Sequence, residues 1–395
     1  MLLTQIAATL ATAAVPVLAT EIAHTTGFRA SLVGVYTAIL FFAAMLVSSV
    51  SGHLVRRFGP VRTNQLGLLV SAGSVLLALV ENPLFIVLTA ICVGMGYGPN
   101  TPSGSEVLAR TTPPRMRGLV FSIKQSGSPL GGLLGGLLLP FMVGVASWRY
   151  ALMVTAALVI VVAMVVQPLR RRVDISGKPD TLVPAEGYSP LAALKLVLGA
   201  GPLQALTMGA LALMAMHSCF QSLTVAFLVE RVELTLMEAG VLFAVLQTTG
   251  AVSRVVLGWM VDRIRRARTI LMTIAMLGLA GSGLTAMLSP QTGYPVLVVV
   301  CALAGLGSSG WYGVFLSEIA RHAPDGRVGL ATGGALSFIY IGLVAGPLAF
   351  SAVVGFAGSY FPAFLMLGGL GVIAAWSFSR MDDGNNVDPD ECGKD

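Results

Sequence analysis

Two basic side chains lie where basic side chains are costly. Lys124 and Arg254 each fall inside a long apolar stretch, about six residues from the end that borders the other cations. An ionised group in hydrocarbon needs a partner, a water-filled cavity or a task. Neither stretch carries a carboxylate at that depth, so two cations at one level would repel until something anionic came between them. Arg254 offers a planar fork that matches a carboxylate bidentately, whereas Lys124 offers a point charge. Reversible capture of a small organic anion is the chemistry this pair suggests. The competing reading is that each long stem snorkels to nearby water.

Weaker polar candidates surround the pair. Gln125 follows Lys124, and Asn100 stands among Gly98, Pro99 and Pro102, where a helix could break and expose backbone groups. His217 and Gln221 are one helical turn apart and share a face. Tyr36, Tyr312 and Tyr340 are large enough to close over a small solute. Glu21 by its depth and His217 by its chemistry are the candidates for carrying a coupled proton. Ser/His/Asp sets, phosphate-binding loops and metal-ligand spacings do not stand out, so the expectation is a protein that is not an enzyme and holds neither cofactor nor metal. Cys92, Cys219, Cys301 and Cys392 lack CxxC spacing.

The elements that must position these groups follow from composition. Of 395 residues, 55% are hydrophobic and only 11% charged, and mean hydropathy is +0.84. Such a chain belongs in a bilayer. Crossing one takes roughly 20 apolar residues, and twelve stretches qualify, at about 4–23, 31–53, 63–80, 84–108, 118–144, 149–167, 203–228, 238–260, 269–288, 294–319, 329–354 and 359–378. They are numbered spans 1 to 12. The first lacks the basic start of a cleaved signal. The expected fold is all-α, twelve transmembrane helices in two six-helix bundles.

Cation placement tests that topology independently. Of 24 Lys and Arg, 19 fall in alternate loops or the tail, and only Arg29, Arg149 and Arg231 lie in the opposite loops. Positive charge resists translocation, so both termini are expected in the cytoplasm of a bacterial-type inner membrane. The net charge of +6 then reports orientation; a nucleic-acid partner would need a basic soluble face, and none is visible. Residues 168–202 form the only long polar stretch between spans and read as a cytoplasmic linker, with a short surface helix near 189–199. The expected units are therefore 1–167, the linker 168–202, 203–380, and a disordered tail at 381–395.

The two halves repeat one another. Gly52-His-Leu-Val-Arg56-Arg57-Phe-Gly59 closes span 2, and Gly258-Trp-Met-Val-Asp262-Arg263 closes span 8. Gly94-x-Gly96 in span 4 is matched by Gly305-x-Gly307 in span 10. Spans 5 and 11 carry small-residue pairs, Gly131/Gly135, Gly132/Gly136 and Gly342/Gly346, that allow close helix approach. Duplication in a chain this apolar is how many solute carriers are built, with the site between the halves.

These residues resemble the major facilitator superfamily over nearly the whole chain. In that family the loop between helices 2 and 3 reads G-x-x-x-D-[RK]-x-G-[RK]-[RK]. Gly52, Arg57, Gly59 and Arg62 fit, Arg56 replaces the acid, and the second copy keeps it as Asp262, followed by Arg263. The resemblance implies a cytoplasmic gate at Gly52, Arg56, Arg57, Gly59, Gly258, Asp262 and Arg263, with Glu106 and Glu318 at matching inner ends of spans 4 and 10. Asp262 is expected at the start of span 5 near Gly118, where free N–H groups favour an anion, and Arg56 at the start of span 11 near Gly329. The Arg-Val-Val-Leu-Gly run from Arg254 resembles the substrate-binding arginine of monocarboxylate and oxalate/formate carriers. Ala90 stands where proton-coupled members commonly carry arginine, and Gly127-Ser-Pro129-Leu-Gly131-Gly132 only partly fits the antiporter signature. The expected activity is alternating-access transport of a small organic carboxylate by a monomer, coupled to a proton or to exchange for a second anion. The alternative is a multidrug/proton antiporter exporting lipophilic compounds.

Overall fold

The computed structural model describes residues 1–26, 32–111, 120, 123–170, 173–174, 190–199, 201–264, 266–324 and 328–381. Every regular element among them is a helix. In hydrocarbon each backbone N–H and C=O must be satisfied within its own segment, and the helix does this. Ten described helices are long and apolar enough to cross a bilayer, and the shorter apolar segments Leu2–Val17 and Val33–Ser48 bring the number to twelve. In span 1, Leu2–Val17 carries Pro16 and gives way at Leu18 to Ala19–Thr26. Spans 2 and 3 are Val33–Phe58 and Pro60–Leu77, and span 6 is Trp148–Val165. Spans 7, 8, 9, 11 and 12 are Gly201–Glu230, Leu236–Ile264, Ala267–Ala286, Val328–Ala357 and Phe361–Ser379.

Local sequence sets several boundaries. Asn82 accepts from the Leu84 N–H at 2.9 Å ahead of Pro83, starting span 4. Thr235 and Glu238 exchange bonds, Thr235 N to Glu238 Oε2 at 3.0 Å and Glu238 N to Thr235 Oγ1 at 3.3 Å. That reciprocal cap opens span 8.

Spans 4 and 10 are broken at matching places. Span 4 runs Pro83–Tyr97, turns at Gly98 and Pro99, and resumes as Asn100–Thr111. Span 10 runs Tyr294–Ser309, breaks at Gly310 and resumes as Trp311–His322. Span 5 is helical from Gly127 to Val145 after a turn at Ser126. These breaks release carbonyls that an unbroken helix would consume.

Each half packs on itself, and the halves meet chiefly where span 5 meets span 8 and span 2 meets span 11. The glycine pairs divide between these surfaces. Gly136 and Gly240 face each other across the 5–8 seam, and an added Cβ on Gly240 would overlap the Gly136 carbonyl. Gly131 instead faces span 1 at Ile6 and Thr9, while Gly342 and Gly346 face span 7 at Leu211 and Ala215. The pair in span 11 therefore packs within its own half, and the close approach it allows is to span 7.

Between spans 6 and 7, Pro190–Gly199 is a helix, and it rests on spans 7 and 11 with Val197 fully buried. Asp174, just beyond span 6, accepts from the N–H groups of Val61 at 3.0 Å and Arg62 at 2.9 Å, at the start of span 3. Gly59 precedes that start with φ +86°, and a Cβ there would strike the Asp174 side chain. The carboxylate at a helix start is thus supplied to span 3 by the chain after span 6. Asp174→Ala should lower stability by about 1 kcal/mol, read as an earlier thermal unfolding midpoint in detergent.

The side chains of Arg56 and Asp262, the surroundings of Gly52 and Gly329, the position Gly118, most of the linker and residues 382–395 lie outside the described residues. Of the other gate residues, Arg57 lies over the Phe58 ring and Arg263 over the Trp259 ring, each 5.3 Å from the centroid. Glu318 is buried and pairs within its own helix, 3.8 Å from Arg321 and 3.6 Å from His322. Glu106 is half-buried in the second segment of span 4, and Glu21 is half-buried in the short second segment of span 1.

Candidate functional site

A cavity of about 510 Å³ lies between the halves, lined by spans 1, 2, 4, 5, 7, 8, 10 and 11. Spans 3, 6, 9 and 12 contribute nothing to its wall. Toward the end that bears the chain termini its lining includes Gln5, Thr101 and Thr332. At that end a Cβ added to Gly258 or Gly333 would meet no atom of another element within 4 Å among the described residues. At the far end the halves are shut, backbone against backbone, at Gly136 and Gly240 and at Gly34 and Pro347.

Arg254 lines this cavity. Its Nε donates to the Ser309 carbonyl at 3.1 Å, and its Nη1 donates to the Gln125 carbonyl at 3.1 Å. Both acceptors stand beside a helix break, so the breaks in spans 10 and 5 aim the guanidinium. Tyr312, two residues past Gly310, places its ring 5.7 Å from the guanidinium carbon. A guanidinium has five N–H donors, and these two carbonyls occupy two. Among the described residues no carboxylate lies within ion-pair distance of it. The side chain is therefore oriented, charged and still able to bind an anion.

Lys124 is placed differently from the expectation. It is 2% exposed and does not line the cavity; its stem lies over Gly104 of span 4, where an added Cβ would come within 2.8 Å of Cε. Its Nζ donates to Gln125 Oε1 at 3.2 Å. Gln125 thus stands between the two cations, giving its backbone oxygen to Arg254 and its side-chain oxygen to Lys124. Neutral oxygens fill the place where a guest anion had been expected, because Lys124 reaches into its own half and away from the seam.

Of the other expected residues, Gln125, His217, Gln221, Tyr312 and Tyr340 line the cavity. His217 Nδ1 lies 3.1 Å from the Ser309 hydroxyl, so Ser309 touches both His217 and Arg254. Gln221 accepts from Gln247 Nε2 at 2.8 Å. Asn100 and Tyr36 are not at the cavity. Asn100 is buried in the first half, donating to Gln5 Oε1 at 2.7 Å and accepting from Asn64 at 3.2 Å. Tyr36 is buried in the hydrophobic core near the far end of span 2. Asn100→Ala should cost about 1 kcal/mol of stability by stranding those two partners, with solute affinity unchanged in a binding titration.

Sequence reasoning did not single out Gln5, Thr9, Ser48, Tyr97 and Ser128, all of which line the cavity. Tyr97 ends the first segment of span 4 and lines the cavity together with Gln5 and Thr9. Gln5, Thr9 and Thr12 fall at helical spacing on one face of span 1, and that periodicity was the available signal.

This architecture is that of a known transporter class. The chain belongs to the major facilitator superfamily, whose profile matches residues 1–347. It is a multi-pass membrane protein and a secondary transporter working by alternating access. Its fold is similar to that of the nucleoside transporter NupG, with a TM-score of 0.76 at 13% identity over 96% of this chain and 98% of the other. It is also similar to a bacterial homologue of the human lysosomal transporter Spinster in an inward-facing, occupied conformation, with a TM-score of 0.69 at 15% identity, covering 96% and 94% of the two chains. A multidrug resistance efflux pump PmrA homologue of Lactococcus lactis subsp. lactis (strain IL1403) is 32% identical over 129 residues, which is 32% of this chain and 32% of that protein. That match spans about a third of the relative's length.

Proposed function

We propose that the protein transports an organic solute carrying a carboxylate and an apolar body, with Arg254 as the anion anchor. The observation that carries this is a cavity-lining guanidinium held by two backbone carbonyls and paired with no carboxylate among the described residues. A charge that is built into a membrane cavity and left without a counter-ion is complete only when an anion arrives. Around it, Phe41, Met214, Leu336, Ile339 and Leu343 provide apolar walls for the body of the solute. Lys124, one residue behind Gln125, adds positive potential without touching the solute.

Transport follows from the two ends of the cavity. The solute enters from the end bearing the termini, and the surplus of cations in the loops there supports a cytoplasmic placement of that end. Its carboxylate takes the free edge of Arg254, and Tyr312 and Tyr340 flank it. Release on the other side requires the 5–8 and 2–11 seams to part at the far end and close at the near one. His217, beside Ser309, is the proton carrier we favour where coupling is to protons, since its ring shares Ser309 with the anchor.

A second reading has its own support. The stretch matching a multidrug efflux pump homologue, together with the apolar walls, favours export of lipophilic compounds. Proteoliposomes separate the two. Uptake of a panel of mono- and dicarboxylates of increasing apolar length should show saturable transport of monocarboxylates, with a pH gradient changing the rate where protons are coupled. Transport of lipophilic cationic dyes without any carboxylate flux would establish the second reading and remove the first.

A further inference from the structure

A second cavity, of about 230 Å³, opens on the outer surface of the second half, between spans 8 and 9. Its walls are Leu257 and Met260 from span 8 and Ile270, Ile274 and Leu277 from span 9. Arg266 stands at its mouth. The groove exists because spans 8 and 9 turn their packing elsewhere: span 8 to spans 5 and 10, and span 9 to spans 10 and 12. It faces outward, since Arg266, Thr269 and Thr273 are exposed. It shares no described lining residue with the central cavity.

Two features identify its occupant. Arg266 lines the groove, and the sequence around it, from Asp262 to Arg268, holds one acid against four arginines, so the local charge favours an anion. Next to it, Trp259 is 60% exposed with Arg263 over its ring, the amphipathic pairing found where a span leaves the hydrocarbon. An outward groove that is apolar along its length and cationic at the membrane surface is complementary to a phospholipid: one acyl chain inside, an anionic headgroup at the arginines.

We propose that this groove binds an anionic phospholipid, with Arg266 contacting the headgroup phosphate and an acyl chain lying along Met260, Ile270, Ile274 and Leu277. The site is separate from the transport cavity, so the proposal stands whichever solute is carried.

The test uses the full chain in detergent micelles doped with dioleoyl phosphatidylglycerol or dioleoyl phosphatidylcholine, with bound lipid counted by native mass spectrometry. Phosphatidylglycerol should be retained in preference. Arg266→Gln should reduce that preference about fivefold, the worth of one surface arginine. Thr273→Trp, which fills the groove from an exposed lining position and leaves every arginine in place, should remove the retained lipid while the thermal unfolding midpoint stays as in the unaltered protein. Equal retention of the two lipids by the unaltered protein would overturn the proposal. So would a preference unchanged in both variants, or displacement of the lipid by free glycerol phosphate at equal concentration, which would indicate a small-anion site with no role for the chain.

Discussion

Arg254→Gln should lower transport of a monocarboxylate by at least ~30-fold while the protein still folds and inserts. The size follows from the geometry. Removing one partner of a desolvated charge pair costs about 2–5 kcal/mol, and each 1.4 kcal/mol is tenfold in affinity. Two backbone carbonyls, Ser309 O and Gln125 O, would also lose their donor. Arg254→Lys keeps the charge but supplies no fork, and it should recover only part of the loss. Lys124→Gln should do less, because Lys124 reaches the cavity only through Gln125. Proteoliposome flux, normalised to protein inserted, measures all three. A ranking in which Lys124 mattered more than Arg254 would reverse the assignment of the anchor.

Gly132→Ala should disable the cycle from the opposite end. A Cβ on Gly132 would occupy the position of Gln247 Nε2 and stand 3.1 Å from Gln221 Nε2. That amide pair closes the top of the cavity just below the Gly136–Gly240 contact, so the far seam could no longer shut as it does here. Overpacking costs about 1–3 kcal/mol, which shifts the balance between the two states about 5- to 150-fold. Gly135→Ala on the same helix is the control, since its Cβ would make only ordinary contacts of 3.4 Å and beyond. With the native cysteines replaced and a cysteine placed at Thr12, a membrane-impermeant thiol reagent added from the far side should label the Gly132 variant faster than the Gly135 variant. Equal labelling, with transport intact in both, would show that this seam is no gate.

Much of the architecture could be read from residues alone, because hydrophobic length and arginine placement act locally along the chain. The breaks in spans 4 and 10 were half-visible: Gly98-Pro99 announces one, whereas Gly310 is one of four glycines, with Gly305, Gly307 and Gly313, and has no proline beside it. Arg254 stood out because an ionised side chain in a span is conspicuous at any orientation. The direction in which Lys124 points was not legible. Sequence gives depth along a helix, but the face a residue shows depends on its neighbours, here Gly104, which leaves room for the lysine stem within its own half. Asn100 shows the same limit, since its partners Gln5 and Asn64 come from two other spans. The Gly342/Gly346 pair shows it once more. Small-residue spacing permits close approach without naming the partner, and span 7 is the partner here.

The most direct test of the anion anchor is a pair of binding titrations on the unaltered protein and on Arg254→Gln. The ligands are the carboxylic acid that ranks first in the flux panel and its own carboxamide, which has the same shape and no charge. The unaltered protein should bind the acid at least about tenfold more tightly than the amide, as a charge-assisted bidentate contact requires. In Arg254→Gln the two should bind alike. An amide bound as tightly as the acid by the unaltered protein, or a preference for the acid that survives the loss of Arg254, would contradict the assignment.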